Sequence, residues 1–172
     1  MVSYKTFYKF IWCFCIILSL SYAQDNYKML APVVTQNTVG VLSIDHIDGS
    51  LYEMQIYVVS NEPVTGLQFG LNPKDLFEVI NVYGGESQSK DFTLHHNKTG
   101  TILAFSMTGA VIPPSVSQKP KDNVAIKVKL KQKRDCKKGE VLKLNSILAA
   151  KGGTRINAND IDYQLNNFKK KK

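Results

Sequence analysis

The chain has 172 residues, a formal net charge of +8, 44% hydrophobic and 21% charged residues. That length amounts to one domain, large enough to bury a core without disulfide staples. It holds no Gly-x-Ser-x-Gly elbow, and its three histidines, near two strand ends, allow a catalytic triad by chance only, so the chain reads as non-enzymatic.

Residues 1–23 read as a secretory signal peptide. Lys5 and Lys9 supply the positive end, and Ile11 to Leu20 forms an apolar run of ten residues. Ser21-Tyr22-Ala23 places small residues where a signal peptidase cuts. The run is short for a membrane span, which needs about 20 apolar residues. The reading is therefore a secreted chain, in the extracellular space or a secretory lumen. Membrane attachment, as a single-pass anchor or on a particle surface, follows only if the segment stays uncleaved. Cys13 and Cys15 leave with the signal, so Cys136 is the one cysteine of the mature chain. An unpaired cysteine in a secreted protein is a candidate for an intermolecular disulfide. Its neighbours Lys133, Arg134, Lys137 and Lys138 are expected to lower its pKa and raise its reactivity.

Residues 24–38 are a polar lead-in. From residue 39 onward the chain alternates in the two-residue period of half-buried strands. Val39 to Asp45 is the first strand, and Asp48-Gly49 a turn. In Leu51 to Ser60, Tyr52, Met54, Ile56 and Val58 share one face and Glu53 and Gln55 the other. Val64 to Leu71 follows, with Leu67, Phe69 and Leu71 inward; an Asn-Pro-Lys-Asp turn leads into Phe77 to Tyr83. Gly84 to Lys90 reads as a polar loop. Asp91 to His96 is a short polar strand, Asn97 to Gly100 a turn, and Thr101 to Thr108 a strand with Leu103, Phe105 and Met107 on one side. Pro113, Pro114 and Pro120 mark an irregular stretch, because proline removes a ladder donor. Val124 to Leu130 and Val141 to Ala150 are clean strands, and Ile161 to Leu165 closes the domain. About nine short strands, turn signals every 8–12 residues and no long amphipathic helix predict an all-β, antiparallel β-sandwich of jelly-roll type over residues 39–166. Residues 167–172 are a basic tail.

Three stretches carry a family resemblance. They are Val64 to Leu71 with Leu76 to Gly85, Gly100 to Gly109 with Val124 to Val128, and Leu144 to Asn157. Together they make the chain resemble the cohesin modules of bacterial cellulosomes, within the carbohydrate-binding-module-like sandwich superfamily. The resemblance covers most of residues 39–165 and implies a cohesin-like fold that binds a partner through one face of the sandwich. It transfers no binding residue, since the family's face carries no signature matched here. Ile156 to Leu165 faintly resembles half a dockerin, but Ala149 to Gly153 before it offers no carboxylates for a calcium loop.

Asn97-Lys98-Thr99 is an N-glycosylation sequon in a turn, on a chain read as secretory, and it is used where the source is eukaryotic or infects a eukaryote. Net charge is −4 over residues 24–126 and +10 from Lys127 onward. Lys127, Lys129, Lys131, Lys133, Arg134, Lys137 and Lys138, with the tail Lys169, Lys170, Lys171 and Lys172, form a candidate polyanion patch. Outward lysines also defend the edges of sheets. The stretch lacks the interleaved aromatics of nucleic-acid binders, so acidic glycans or anionic surfaces fit it better. Asp45, His46 and Asp48 do not make a metal ligand set, and His95 and His96 face opposite sides of a strand. No cofactor is implied. The expected function is a secreted, non-catalytic binding or adhesion module for a protein or glycan partner. The alternative is a structural surface or particle protein, held by its basic tail or by a Cys136 disulfide.

Overall fold

The computed structural model describes residues 34–165. The signal segment 1–23, most of the lead-in, and Lys169 to Lys172 lie outside the described residues. The first eight strands follow the sequence pattern: β1 (Thr38–Asp48), β2 (Leu51–Val59), β3 (Gly66–Asn72), β4 (Phe77–Tyr83), β5 (Thr93–His96), β6 (Thr101–Phe105), β7 (Val124–Gln132) and β8 (Val141–Ala149). Three short strands complete the set, β9 (Arg155–Ile156), β10 (Asn159–Ile161) and β11 (Tyr163–Gln164). They form two sheets, in the orders β10-β1-β2-β7-β4 and β11-β8-β3-β6-β5, with β9 also on β8.

The inward alternation is what joins the sheets. In the first sheet, Met54 and Ile56 of β2 and Ile126, Val128 and Leu130 of β7 have no solvent exposure. They meet Leu67, Phe69 and Leu71 of β3 and Leu142, Leu144 and Leu148 of β8, all at most 2% exposed, in a single cluster. Burying each such side chain is worth about 1.5–3 kcal/mol, and this sum over two facing sheets is what holds them. A second, small cluster of Val34, Tyr57 and Val59 covers the end of the β1–β2 pair.

Four expectations are corrected. The sandwich is mixed rather than wholly antiparallel: β10 lies parallel to β1, pairing Thr38 with Asn159 and Gly40 with Ile161. The closing segment Ile161 to Leu165 is not one strand. After β9 on the second sheet the chain crosses to the first sheet's edge as β10, then returns as β11 beside β8. A closing segment that runs along the side of a sandwich can satisfy both sheet edges this way, which its alternation alone does not reveal. Gly84 to Lys90 is not a plain loop, since Gly85–Ser89 forms a short helix, α1, with Ser87 buried. The strand expected over Thr101 to Thr108 ends at Phe105; within it Ile102 and Ala104 are buried, so Leu103 and Phe105 point outward, and Met107, beyond the strand, is 78% exposed.

Candidate interaction face

The outward surface of the second sheet assembles across four strands. β3 presents Gln68 between Gly66 and Gly70, because Leu67, Phe69 and Leu71 are committed to the core. Register places Leu103 of β6 and Ile147 of β8 on either side of Gln68, with His95 of β5 beyond Leu103. In the next row Gly66 lies between Phe105 and Ala149, and Thr93 pairs with Phe105. The row on the other side runs Thr101, Gly70, Asn145. Ile147 is 43% exposed, and His95 stacks on Phe105 with ring centroids 5.9 Å apart.

The two glycines leave β3 low between β6 and β8, so Leu103, Phe105, Ile147 and Ala149 border a shallow apolar trough with Gln68 in it. Thr101 and Asn145 add hydrogen-bonding groups, and Lys143, paired with Asp162 at 3.1 Å, and exposed Arg155 stand at the rim. An apolar centre within a polar rim is the anatomy of a protein interface.

The opposite sheet has a different surface. Lys127, Lys129 and Lys131 do share an outward face, but β7 is a central strand, so they do not guard an edge. Register sets Lys129 across from Glu53 and Lys131 across from Glu78. Lys127 Nζ lies 3.4 Å from Glu53 Oε1, and the Tyr83 hydroxyl donates to Glu53 Oε2. The Tyr83 bond, then the Lys127 charge, hold the Glu53 carboxyl below its ordinary value, and the same bond pushes the Tyr83 phenol up to about 12. The lysine stripe is thus interleaved with carboxylates rather than a bare cationic surface.

Arg134 is likewise committed. Its Nε donates to Asp75 Oδ2 at 2.7 Å, and its Nη1 and Nη2 donate to Glu140 at 2.9 and 2.5 Å. The guanidinium therefore ties the β3–β4 turn to the β7–β8 loop. Lys133, Lys137 and Lys138 remain exposed. Cys136 corrects the expectation of a reactive thiol. It packs partly against the core, and burial, then the Glu140 charge, push its thiol up despite Arg134. Partial burial against the core and the Glu140 carboxylate outweigh the Arg134 charge.

Among the described residues, no three His, Cys, Asp or Glu side chains converge as a metal site. His46 bonds the Gly49 carbonyl across its own turn at 3.0 Å, while His95 and His96 pair with Leu103 and Ile102 on opposite faces. A pocket of about 140 Å³ lies between Val58, Ile112, Pro113 and Ala125. Its buried amide, Asn123 Nδ2, is spent on the Ser117 and Lys119 carbonyls, both at 2.8 Å.

The outward apolar row was missed in the sequence for one reason. Ile102 to Phe105 is apolar at four successive positions, and a strand needs only one apolar face for its core. That surplus was the available signal.

No protein-family model matches the chain, and no curated protein matches it in sequence. Solved structures do match it in shape. A non-cellulosomal cohesin from the archaeon Archaeoglobus fulgidus superposes with a TM-score of 0.51 at 12% identity, covering 76% of this chain and 91% of that one. The sixth cohesin of Acetivibrio cellulolyticus scaffoldin B, solved in complex with a Cel5 dockerin, gives 0.50 at 14% identity over 76% and 97%. The OlpA cohesin of Clostridium thermocellum, solved in complex with the dockerin Doc918, gives the same values. At such identities the likeness speaks to architecture, and the chain has a cohesin-like β-sandwich fold.

Proposed function

We propose that this protein is a secreted, non-catalytic binding module that recognises a protein partner through the outward face of β5, β6, β3 and β8. The observation that carries the reading is the row His95, Leu103, Gln68, Ile147 with Phe105 beside it, an apolar surface on a sheet whose core needs are already met by the other face. Two similar folds were solved with a dockerin bound, so a dockerin-type module is the first partner class to test. A protein suits this face better than a glycan. Sugar platforms rely on open aromatic faces, and the one aromatic ring of the central rows, Phe105, is stacked under His95. The basic stretch from Lys127 onward would steer an acidic partner and raise the on-rate more than the affinity.

The test compares the wild-type chain, a Leu103→Asp/Ile147→Asp double variant, and Lys129→Glu on the opposite sheet. Each is run against a panel of dockerin modules and against surface proteins captured by cross-linking. The reading expects a partner held by wild type and Lys129→Glu and released by the double variant. Capture that depends on Lys129 and ignores Leu103 and Ile147 would place recognition on the charged sheet instead.

A further inference from the structure

We propose that Asn97 is an attachment site for an N-linked oligosaccharide, which the β5–β6 hairpin holds at the rim of the outward sheet face. The site rests on the secreted reading above and is independent of which face binds a partner. Asn97-Lys98-Thr99 meets the acceptor rule, with a threonine at the third position and no proline between. All three residues are exposed.

The turn presents the acceptor in a defined way. Asn97 N–H donates to the Thr101 carbonyl at 3.0 Å, which continues the β5–β6 ladder one step past His96. Asn97 Oδ1 accepts from the Thr99 hydroxyl and from the Thr101 N–H, both at 2.9 Å. The carbonyl end of the side chain is therefore fully used, while Nδ2 makes no hydrogen bond among the described residues. Nδ2 is the atom to be glycosylated. The turn is also anchored. Gly100 takes φ +97, and a Cβ there would stand 3.0 Å from Leu71 Cβ, so the loop lies hard against β3. Lys98 Nζ reaches Glu78 Oε1 on the other sheet at 3.7 Å.

The register fixes where a glycan would stand. Asn97 lies opposite Thr101, which belongs to the row Thr101, Gly70, Asn145. The sugar would leave the protein at the corner of the apolar trough, over the free edge of β5. Bulk at this corner blunts an edge strand against pairing with another chain.

The reaction is a group transfer from a membrane-borne polyprenyl-diphosphate oligosaccharide, catalysed by an oligosaccharyltransferase of the secretory membrane. Nδ2 bonds to the anomeric carbon of the first sugar. The bond from that carbon to the diphosphate oxygen breaks, polyprenyl diphosphate leaves, and the amide gives up one proton. No oxidation change occurs.

The test is translation of the full chain with membrane vesicles that carry the transferase, read by gel mobility before and after peptide-N-glycosidase. Wild type should show a single glycosidase-sensitive step. Asn97→Gln and Thr99→Ala should lose it, and Thr99→Ser should keep it at lower occupancy. Chain protected inside the vesicles at unmodified mass sinks the site alone. Chain outside the vesicles and open to protease sinks the secretory reading, and the site with it.

Discussion

His95 stacks on Phe105 across the β5–β6 hairpin, with ring centroids 5.9 Å apart and ring planes within 14° of parallel. The two residues are diagonal neighbours, since Phe105 pairs directly with Thr93 and His95 with Leu103. A stacked pair on the surface stiffens the one edge of the trough that has no further strand beside it.

The face is expected to bind without contributing to the core. Leu103→Asp should leave the thermal midpoint nearly unchanged and weaken partner binding by roughly 10- to 100-fold, as at a central interface residue. Ile102→Asp, one position away, should cost about 3 kcal/mol or more, because it buries a carboxylate at a position with no solvent exposure. Paired thermal melts and binding curves for the two variants check this. Equal destabilisation of both would mean that Leu103 also supports the core.

Gly85 starts α1 with φ +66, and a Cβ built on it would sit 2.5 Å from the Ala125 carbonyl carbon and oxygen. Neither the backbone angle nor the contact admits a side chain. Gly85→Ala should therefore destabilise the fold by roughly 2–3 kcal/mol, through left-handed strain plus displacement of α1 from β7. Urea unfolding reads the loss as a lower midpoint at unchanged slope. A neutral result would show that α1 lifts off β7 freely.

Acid should weaken the protein through the Arg134 clamp. Hydrogen bonds from Arg134 hold the Glu140 and Asp75 carboxyls below their ordinary values. As pH falls below about 4.3, the ordinary Glu value, the unfolded chain takes up protons first. Stability from these groups is thus complete above that pH and is lost as pH drops through the lowered folded values. Glu140→Gln should be less stable than wild type at pH 7 and should lose less on acidification. Thermal midpoints from pH 7 to pH 3 measure both slopes, and parallel slopes would remove the clamp from the acid response.

Cys136 should be a slow thiol. Burial and Glu140 push its pKa up, so less thiolate exists at pH 8 than in a free cysteine peptide. Alkylation of the folded chain should lag behind the peptide and speed up in denaturant. A non-reducing gel should show monomer. A covalent dimer that disappears in Cys136→Ser would instead support a structural, cross-linked role.

Much of the fold was legible because strand alternation is a local property. Tyr52, Met54 and Ile56, or Ile126, Val128 and Leu130, announce a buried face whichever strand they later meet, since neighbouring side chains on a strand must point to opposite sides. The binding face was less legible. Leu103 and Ile147 are 44 positions apart in the chain and flank Gln68 only because β6 and β8 both pair with β3.

The sequence by itself determined the first eight strands, the sandwich class, the sequon in its turn and the charge asymmetry, because each depends on residues within a few positions of one another. Tertiary structure alone decided the rest. It turned Leu103 and Phe105 outward, since Ile102 and Ala104 took the core side of β6. It placed the β7 lysines in the middle of a sheet opposite Glu53 and Glu78, and set Arg134 between Asp75 and Glu140. Those outcomes depend on which strands become neighbours, a choice made by the packing of two whole sheets and invisible to any single stretch of chain.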